Sequence, residues 1–349
     1  MTEWAGDEIQ KLFEEILQEK LDERQLSMDE VEDYLTEETP RLVRELADVI
    51  LPTLKQQAPT ALRENREMEA GFRQRNFERW AKGFDLLELL VGVAHEVGDA
   101  ISRAEHTAAI ECQDAKFQAL CSLHSRAVLV SREIVCLLQG GFPDGALGRW
   151  RTLHEVAVIA SFLGAQDQII SERYLIHREV EAYKAMRNYH EYEERANLDP
   201  IAPEDLEDAK RFRDDILAHY GNEMKNQWGW AAPVIGKDHP TFFDIEYHEG
   251  LDHWRPRYKW ATRDTHASYR PPTTLLGTSE AKEPLFLAGA SDSGFTDPAQ
   301  MTAISLFLAT SAIVRAYPTI DRLVAAQILQ QLNDDVGEVF YNLEFSDTQ

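Results

Sequence analysis

Apolar residues recur along this chain at intervals of three and four, with no alternating pattern of convincing length, so the sequence predicts helices packed on helices. The clearest run opens at Trp80 and carries Phe84, Leu86, Leu87, Leu89, Leu90, Val93 and Val97. A second helix is predicted over residues 107–138, through Phe117, Leu120, Ala127, Val128, Ile134 and Leu137. Gly140-Gly141-Phe142-Pro143-Asp144 then reads as a helix stop, a turn and a new cap. The helix after it, residues 144–163, is apolar almost all round through Val156, Ala157, Val158, Ile159, Ala160, Phe162 and Leu163. A helix with no polar face is enclosed by others. The expected fold is therefore all-α, a multi-helix bundle of about eight to ten helices around this buried central one.

Ahead of the bundle, residues 1–60 read as a helical arm. Ser27-Met28-Asp29-Glu30 has capping-box spacing, and Thr39-Pro40 reads as a cap with proline at the first helical position. Leu42, Val43, Leu46, Val49 and Ile50 follow as one apolar stripe, which Pro52 is expected to kink or end. Residues 59–75, rich in Arg and Glu, read as a linker or an exposed helix. Two polar helices are predicted over 167–196 and 203–220. Residues 222–262 are dense in Trp, Tyr, His and Pro without a sustained period, and read as an ordered loop with short helices. A second irregular stretch spans 271–296. Asp297-Pro298 is expected to cap an apolar helix to about Ala316, and a last helix to run over 319–333. The predicted organisation is an arm (1–60), a main helical domain (61–335) and a C-terminal tail (336–349).

Composition narrows the class. Apolar residues make up 44% of the 349, enough for a sizeable core. The formal net charge of −25 argues against general affinity for nucleic-acid backbones, which need clustered Lys and Arg, and leaves room only for a local basic pocket. Cys112, Cys121 and Cys136 are odd in number and lie in apolar helical stretches, so they read as small core residues in a reducing compartment. The opening residues lack the basic and apolar blocks of a signal peptide. The segment Met301 to Val314 is interrupted by Thr302, Ser305, Thr310 and Ser311 and reads as too short to span a bilayer. A cytoplasmic protein without membrane insertion is expected.

Two constellations carry potential chemistry. Arg151 and Glu155 lie four apart on one face of the central helix, and that face continues through Val158, Ile159 and Phe162. Charged residues enter such a stripe when paired or used, so the pair is either an ion pair that fixes packing or the wall of a polar-ligand or catalytic pocket. In Tyr258-Lys259-Trp260-Ala261-Thr262-Arg263-Asp264-Thr265-His266, helical spacing puts Tyr258, Thr262 and His266 near a common face. These are either satisfied core hydrogen bonds or an acid, base or ligand contact centred on the imidazole.

Four stretches together resemble one family of bacterial helical proteins, the domain of unknown function 5677 family, over about residues 40–320. They are the helix Ala146 to Glu155 with its Arg-Thr-Leu-x-Glu, the Trp228-Gly229-Trp230-Ala231 block, the Tyr258 to Ser268 segment, and Ser293-Gly294-Phe295 before an apolar helix. Thr262 stands where the family more often has Ser, which keeps the hydroxyl. The resemblance extends distantly to the HEPN helical group, whose ribonucleases use an Arg, four to six intervening residues and a His. It implies metal-independent RNA cleavage, with the His handling a proton and the Arg stabilising phosphate charge. Arg149 to His154 and Arg213 to His219 both match that spacing.

His248-Glu249-Gly250-Leu251-Asp252-His253 spaces its histidines five apart across a glycine, unlike a zinc-protease helix. Phosphate loops, nucleophile elbows and dinucleotide fingerprints are missing from the sequence, and no cofactor or metal is expected. Three classes remain. One is a HEPN-like ribonuclease or toxin-type effector in bacterial anti-phage defence, with Arg151, Glu155, Tyr258, His266, Arg213 and His219 as candidate catalytic residues. The second is a non-catalytic module binding a small polar ligand. The third is a homo-oligomeric scaffold.

Overall fold

The computed structural model describes residues 28–265 and 269–345, together with 10–11, 13–15, 18–19 and 22. The described residues are helical with irregular connections and contain no strand. Two compact units are distinguished, Met1–Arg75 and Asn76–Gln349. In the first, Phe13, Val43, Leu46, Ile50, Leu51 and Leu54 line an apolar groove of about 540 Å³.

Helix α1, Met28–Glu111, takes in Pro40, Pro52 and Pro59. The expected cap at Thr39-Pro40 is absent, and the helix does not end at Pro52. Each proline forfeits one backbone bond, and the strong helix formers on either side propagate the helix through it. The break predicted before Thr107 falls instead at Cys112–Asp114, where Gln113 adopts a left-handed φ of 53°. Asp114 then accepts from the Phe117 amide and caps α2, Ala115–Gln139.

Helix α3, Pro143–Ala165, is the predicted central helix, with Val156 to Leu163 all buried. It packs against α2, against the late apolar helix α8 (Thr296–Ala316), and against the short helices α6 (Phe242–His248) and α7 (Arg255–Thr265). Helices α4 (Gln168–Tyr192) and α5 (Pro203–Tyr220) form an outer pair, α4 lying against α2. The aromatic-rich stretch is, as expected, an ordered run of short helices. Arg173 pins it from within, donating to the carbonyls of Tyr220, Gly229 and Trp230 and pairing with Glu223. The last helix, α9, runs over Ile320–Phe345, well past residue 333, because Val336 and Phe340 are buried in the core. Phe340 and Phe295 stack on Trp80.

Three further expectations are corrected. Asp297 lies inside the first turn of α8 and pairs with Arg257, while Phe295 holds the cap position. Cys112 and Cys136 are exposed and Cys121 is half-buried, because they fall on outward-facing turns. Helix α8 is long and apolar enough, by length and composition, to cross a membrane, although much of it is buried within the bundle.

Candidate functional site

The α3 sequence places Arg151, His154 and Glu155 at relative positions 0, +3 and +4, hence on adjoining helical faces. Two short elements cover that end of the helix. The capping box Thr241/Asp244 starts α6, burying Phe242, Ile245 and Glu246. Helix α7 then brings Arg255 and Tyr258 over α3.

The result is one connected polar network. Arg151 Nη2 donates to the Tyr258 hydroxyl at 2.6 Å and lies 3.0 Å from Glu155 Oε1. Tyr258 in turn donates to the same Glu155 oxygen at 2.5 Å. Its ring is flanked by two guanidinium groups, those of Arg151 at 4.8 Å and Arg255 at 5.0 Å. Burial and the Glu155 carboxylate push the Tyr258 phenol far above its ordinary pKa, so it stays protonated. One polar atom of the network is unmatched: Arg151 Nε is buried with no hydrogen-bond partner. Arg151 and Glu155 keep 30% and 27% of their side-chain surface exposed, so the network reaches solvent on one side.

Behind it lies a closed second pair. His154 Nε2 is 2.9 Å from Glu246 Oε1, with the two side chains 1% and 0% exposed. A carboxylate only accepts, so Nε2 carries the proton. Arg255 holds the other Glu246 oxygen. His154 is ringed by Trp150, Phe242 and Tyr258. The gap beside it toward Met301 and Ser305 has no room for a water molecule.

Three of the sequence candidates therefore meet: Arg151, Glu155 and Tyr258. Thr262 contributes a backbone bond, its hydroxyl donating to the Tyr258 carbonyl at 2.8 Å. His266 lies outside the described residues. The two spacing matches are not assembled as pairs. Arg149 turns to Glu133 while His154 faces Glu246. On α5, Arg213 pairs with Asp214 and stacks on Tyr183, whereas His219 meets the edge of Tyr220. His248 pairs with Glu249, and His253 is bonded to the Gly250 carbonyl.

Arg255 was not legible as a site residue, and Glu246 was not legible as the partner of His154. Nothing in Phe-Phe-Asp-Ile-Glu-Tyr-His marks the Glu as facing inward, since a seven-residue helix is too short to show a period. The charge of α7 was legible: Arg255, Pro256, Arg257, Tyr258, Lys259 and Arg263 make a basic segment in a chain of net charge −25. Lys259 and Arg263 are exposed and have no acidic partner among the described residues.

Residues 117–283 match the model of a family described as a family of unknown function, DUF5677. The match is narrower than the resemblance read from the sequence, and it contains the whole network from Arg151 to Tyr258. No curated protein and no solved structure matches the chain.

Proposed function

Taking residues 117–283 as a member of the DUF5677 family of unknown function, we propose that the protein is a metal-independent, HEPN-like ribonuclease worked by the Arg151, Glu155 and Tyr258 network. The observation that carries the reading is the Arg151–Tyr258–Glu155 contact itself: a partly open guanidinium, a carboxylate and a phenol held protonated, joined within hydrogen-bonding distance.

The chemistry needs no more than these groups and one acid. The ribose 2′-oxygen attacks the adjacent phosphorus, forming a P–O2′ bond and breaking P–O5′, to leave a 2′,3′-cyclic phosphate and a 5′-hydroxyl. Glu155, through its second oxygen, takes the 2′-hydroxyl proton. Arg151, whose side chain is partly exposed on the open side of the network, holds the phosphate oxygens as charge develops on them. Tyr258 keeps Glu155 in place. The proton delivered to the 5′-oxygen is assigned to His266, the imidazole of the Tyr258 to Ser268 segment. The basic surface of α7 supplies local attraction for a polyanion that the whole-molecule charge repels. A place in bacterial anti-phage defence follows from the same likeness.

The test is incubation of the full chain with end-labelled single-stranded RNA in excess chelator. Cleavage giving cyclic-phosphate ends is expected. Glu155→Gln and His266→Ala are each expected to slow it by about a hundredfold or more, typical of losing a general base or acid. His219→Ala is expected to leave it intact, and its loss there would move the site to α5. Inertness toward every RNA tested would sink the reading.

The mutual satisfaction of Arg151, Tyr258 and Glu155 also supports a second reading, a non-catalytic site for a small polar ligand. On that reading Arg151→Ala removes a ligand-induced rise in melting temperature while no RNA is cut.

A further inference from the structure

A second polar pocket lies away from this network, where α1, α2 and α8 meet. Its floor is His124, on α2 and only 5% exposed. The Cε1 and Nδ1 side of the ring packs against Gly98 of α1, where a Cβ would sit 2.2 Å from Cε1 and 2.3 Å from Nδ1. Only a glycine lets the imidazole occupy this place.

The neighbours of His124 favour one tautomer. Its Nε2 lies 3.1 Å from the Thr310 hydroxyl oxygen, and that hydroxyl donates its own proton to the Leu306 carbonyl at 2.9 Å. The Thr310 oxygen can then only accept, so His124 Nε2 carries a proton and Nδ1 presents a bare lone pair. Burial, reinforced by His95, lowers its pKa to about 4, so the ring is neutral near pH 7. Among the described residues no protein donor reaches Nδ1. The nitrogen is not sealed off but keeps accessible surface.

In front of the ring is a cavity of about 310 Å³, lined among others by His95, Ser102, Ser125, Val128, Arg132 and Ile313. Asp99, which also faces it, is committed to Arg103 at 2.5 Å. Arg132 is exposed and has no acidic partner among the described residues. His124, Val128 and Arg132 are spaced by four on α2, and helical side chains lean toward the helix N-terminus, so Arg132 leans back over the cavity toward His124. No group of three His, Cys, Asp or Glu side chains converges as a metal would need, among the described residues.

We infer that this pocket binds a small cyclic organic acid that carries a hydroxyl or N–H donor. The donor meets the Nδ1 lone pair of His124, the ring lies between Val128 and Ile313, and the carboxylate pairs with Arg132. The hydroxyls of Ser102 and Ser125 serve the edges. A cavity at the lower end of the range for ligand sites fits a single ring with its substituents.

Ligand-observed NMR on the full chain tests this, with 3-hydroxybenzoate, 4-hydroxybenzoate and orotate as probes and benzoate as the control without a donor. At least one probe is expected to bind at millimolar concentration and to raise the melting temperature. Benzoate is expected to bind about fivefold or more weakly, the worth of one hydrogen bond. Arg132→Gln, a change at an exposed position that spares the core, is expected to weaken the probe by a similar factor. His124→Phe keeps the ring and removes the acceptor, and is expected to level the probe with benzoate. Absence of binding by all three probes overturns the inference, as does a probe affinity unchanged in Arg132→Gln. Because none of these residues belongs to the Arg151 network, RNA cleavage is expected to be unaffected in Arg132→Gln.

Discussion

Tyr258 donates to Glu155 across 2.5 Å although the two residues are 103 positions apart, and it accepts from Arg151 at the same time. A phenylalanine there keeps the ring between the two guanidinium groups and removes both hydrogen bonds. Tyr258→Phe is expected to lower stability by about 1–3 kcal/mol, read by urea unfolding, because Glu155 and Arg151 lose a shared partner at a partly buried position. RNA cleavage is expected to fall about tenfold, through loss of Glu155 positioning. An unchanged unfolding midpoint would show that solvent replaces the phenol without cost.

The buried pair behind it predicts a larger effect. Glu246 is fully enclosed and serves both His154 and Arg255. Glu246→Ala leaves His154 without its acceptor and Arg255 without its carboxylate, and breaking a buried pair of this kind costs about 3–5 kcal/mol. The lower end is expected, since Arg255 is 26% exposed and water takes over part of the role. Denaturant unfolding of Glu246→Ala beside Glu155→Ala checks the order: the solvent-facing carboxylate is expected to cost less.

His124 makes stability pH-dependent. Its folded pKa is about 4, against 6.5 for the free side chain, so the unfolded chain binds the proton more readily. The stabilisation is fully present above about pH 6.5 and is lost as pH falls toward 4. Between pH 7 and pH 5 this one group removes about 2 kcal/mol. His177, also lowered by burial, acts in the same direction. Unfolding free energies at the two pH values are expected to converge in His124→Phe by about that amount. An identical pH slope in the variant would show that the ring is not buried neutral.

Gly229 predicts a backbone failure. A Cβ there would lie 1.8 Å from the Glu223 carbonyl oxygen, inside the loop that Arg173 gathers. Neither a carbonyl nor a helix-linked backbone moves aside as a flexible side chain does, so Gly229→Ala is expected to cost about 3 kcal/mol or more, the upper range for overpacking. Gly92→Ala, with open space at its Cβ on α1, is the control. It is expected to be neutral or slightly stabilising, as alanine favours a helix by up to about 1 kcal/mol over glycine. Melting temperatures of the two variants separate these outcomes.

The helices were legible because their signal is local: an apolar residue every three or four positions identifies a buried stripe whatever it packs against. Thus α3 and its enclosure, the stop at Gly140-Gly141, and the irregular aromatic stretch could all be read from the chain, and the limits of α5 within a residue or two. So could the pairing of Arg151 with Glu155, since an interval of four residues is a contact by helical geometry alone. The prolines misled because a local penalty at Pro40 or Pro52 is small beside the many bonds of an 84-residue helix. What only the tertiary structure decided is which distant groups meet. His154 finds Glu246 ninety-two positions away, and His124 finds Thr310 at a separation of 186. No period or propensity encodes such a partner, because it depends on how the faces of separate helices are turned toward one another. The end of α3 was marked by its own residues as polar where it should be apolar. Packing supplied Tyr258, Glu246 and Arg255, the groups that make that end a site.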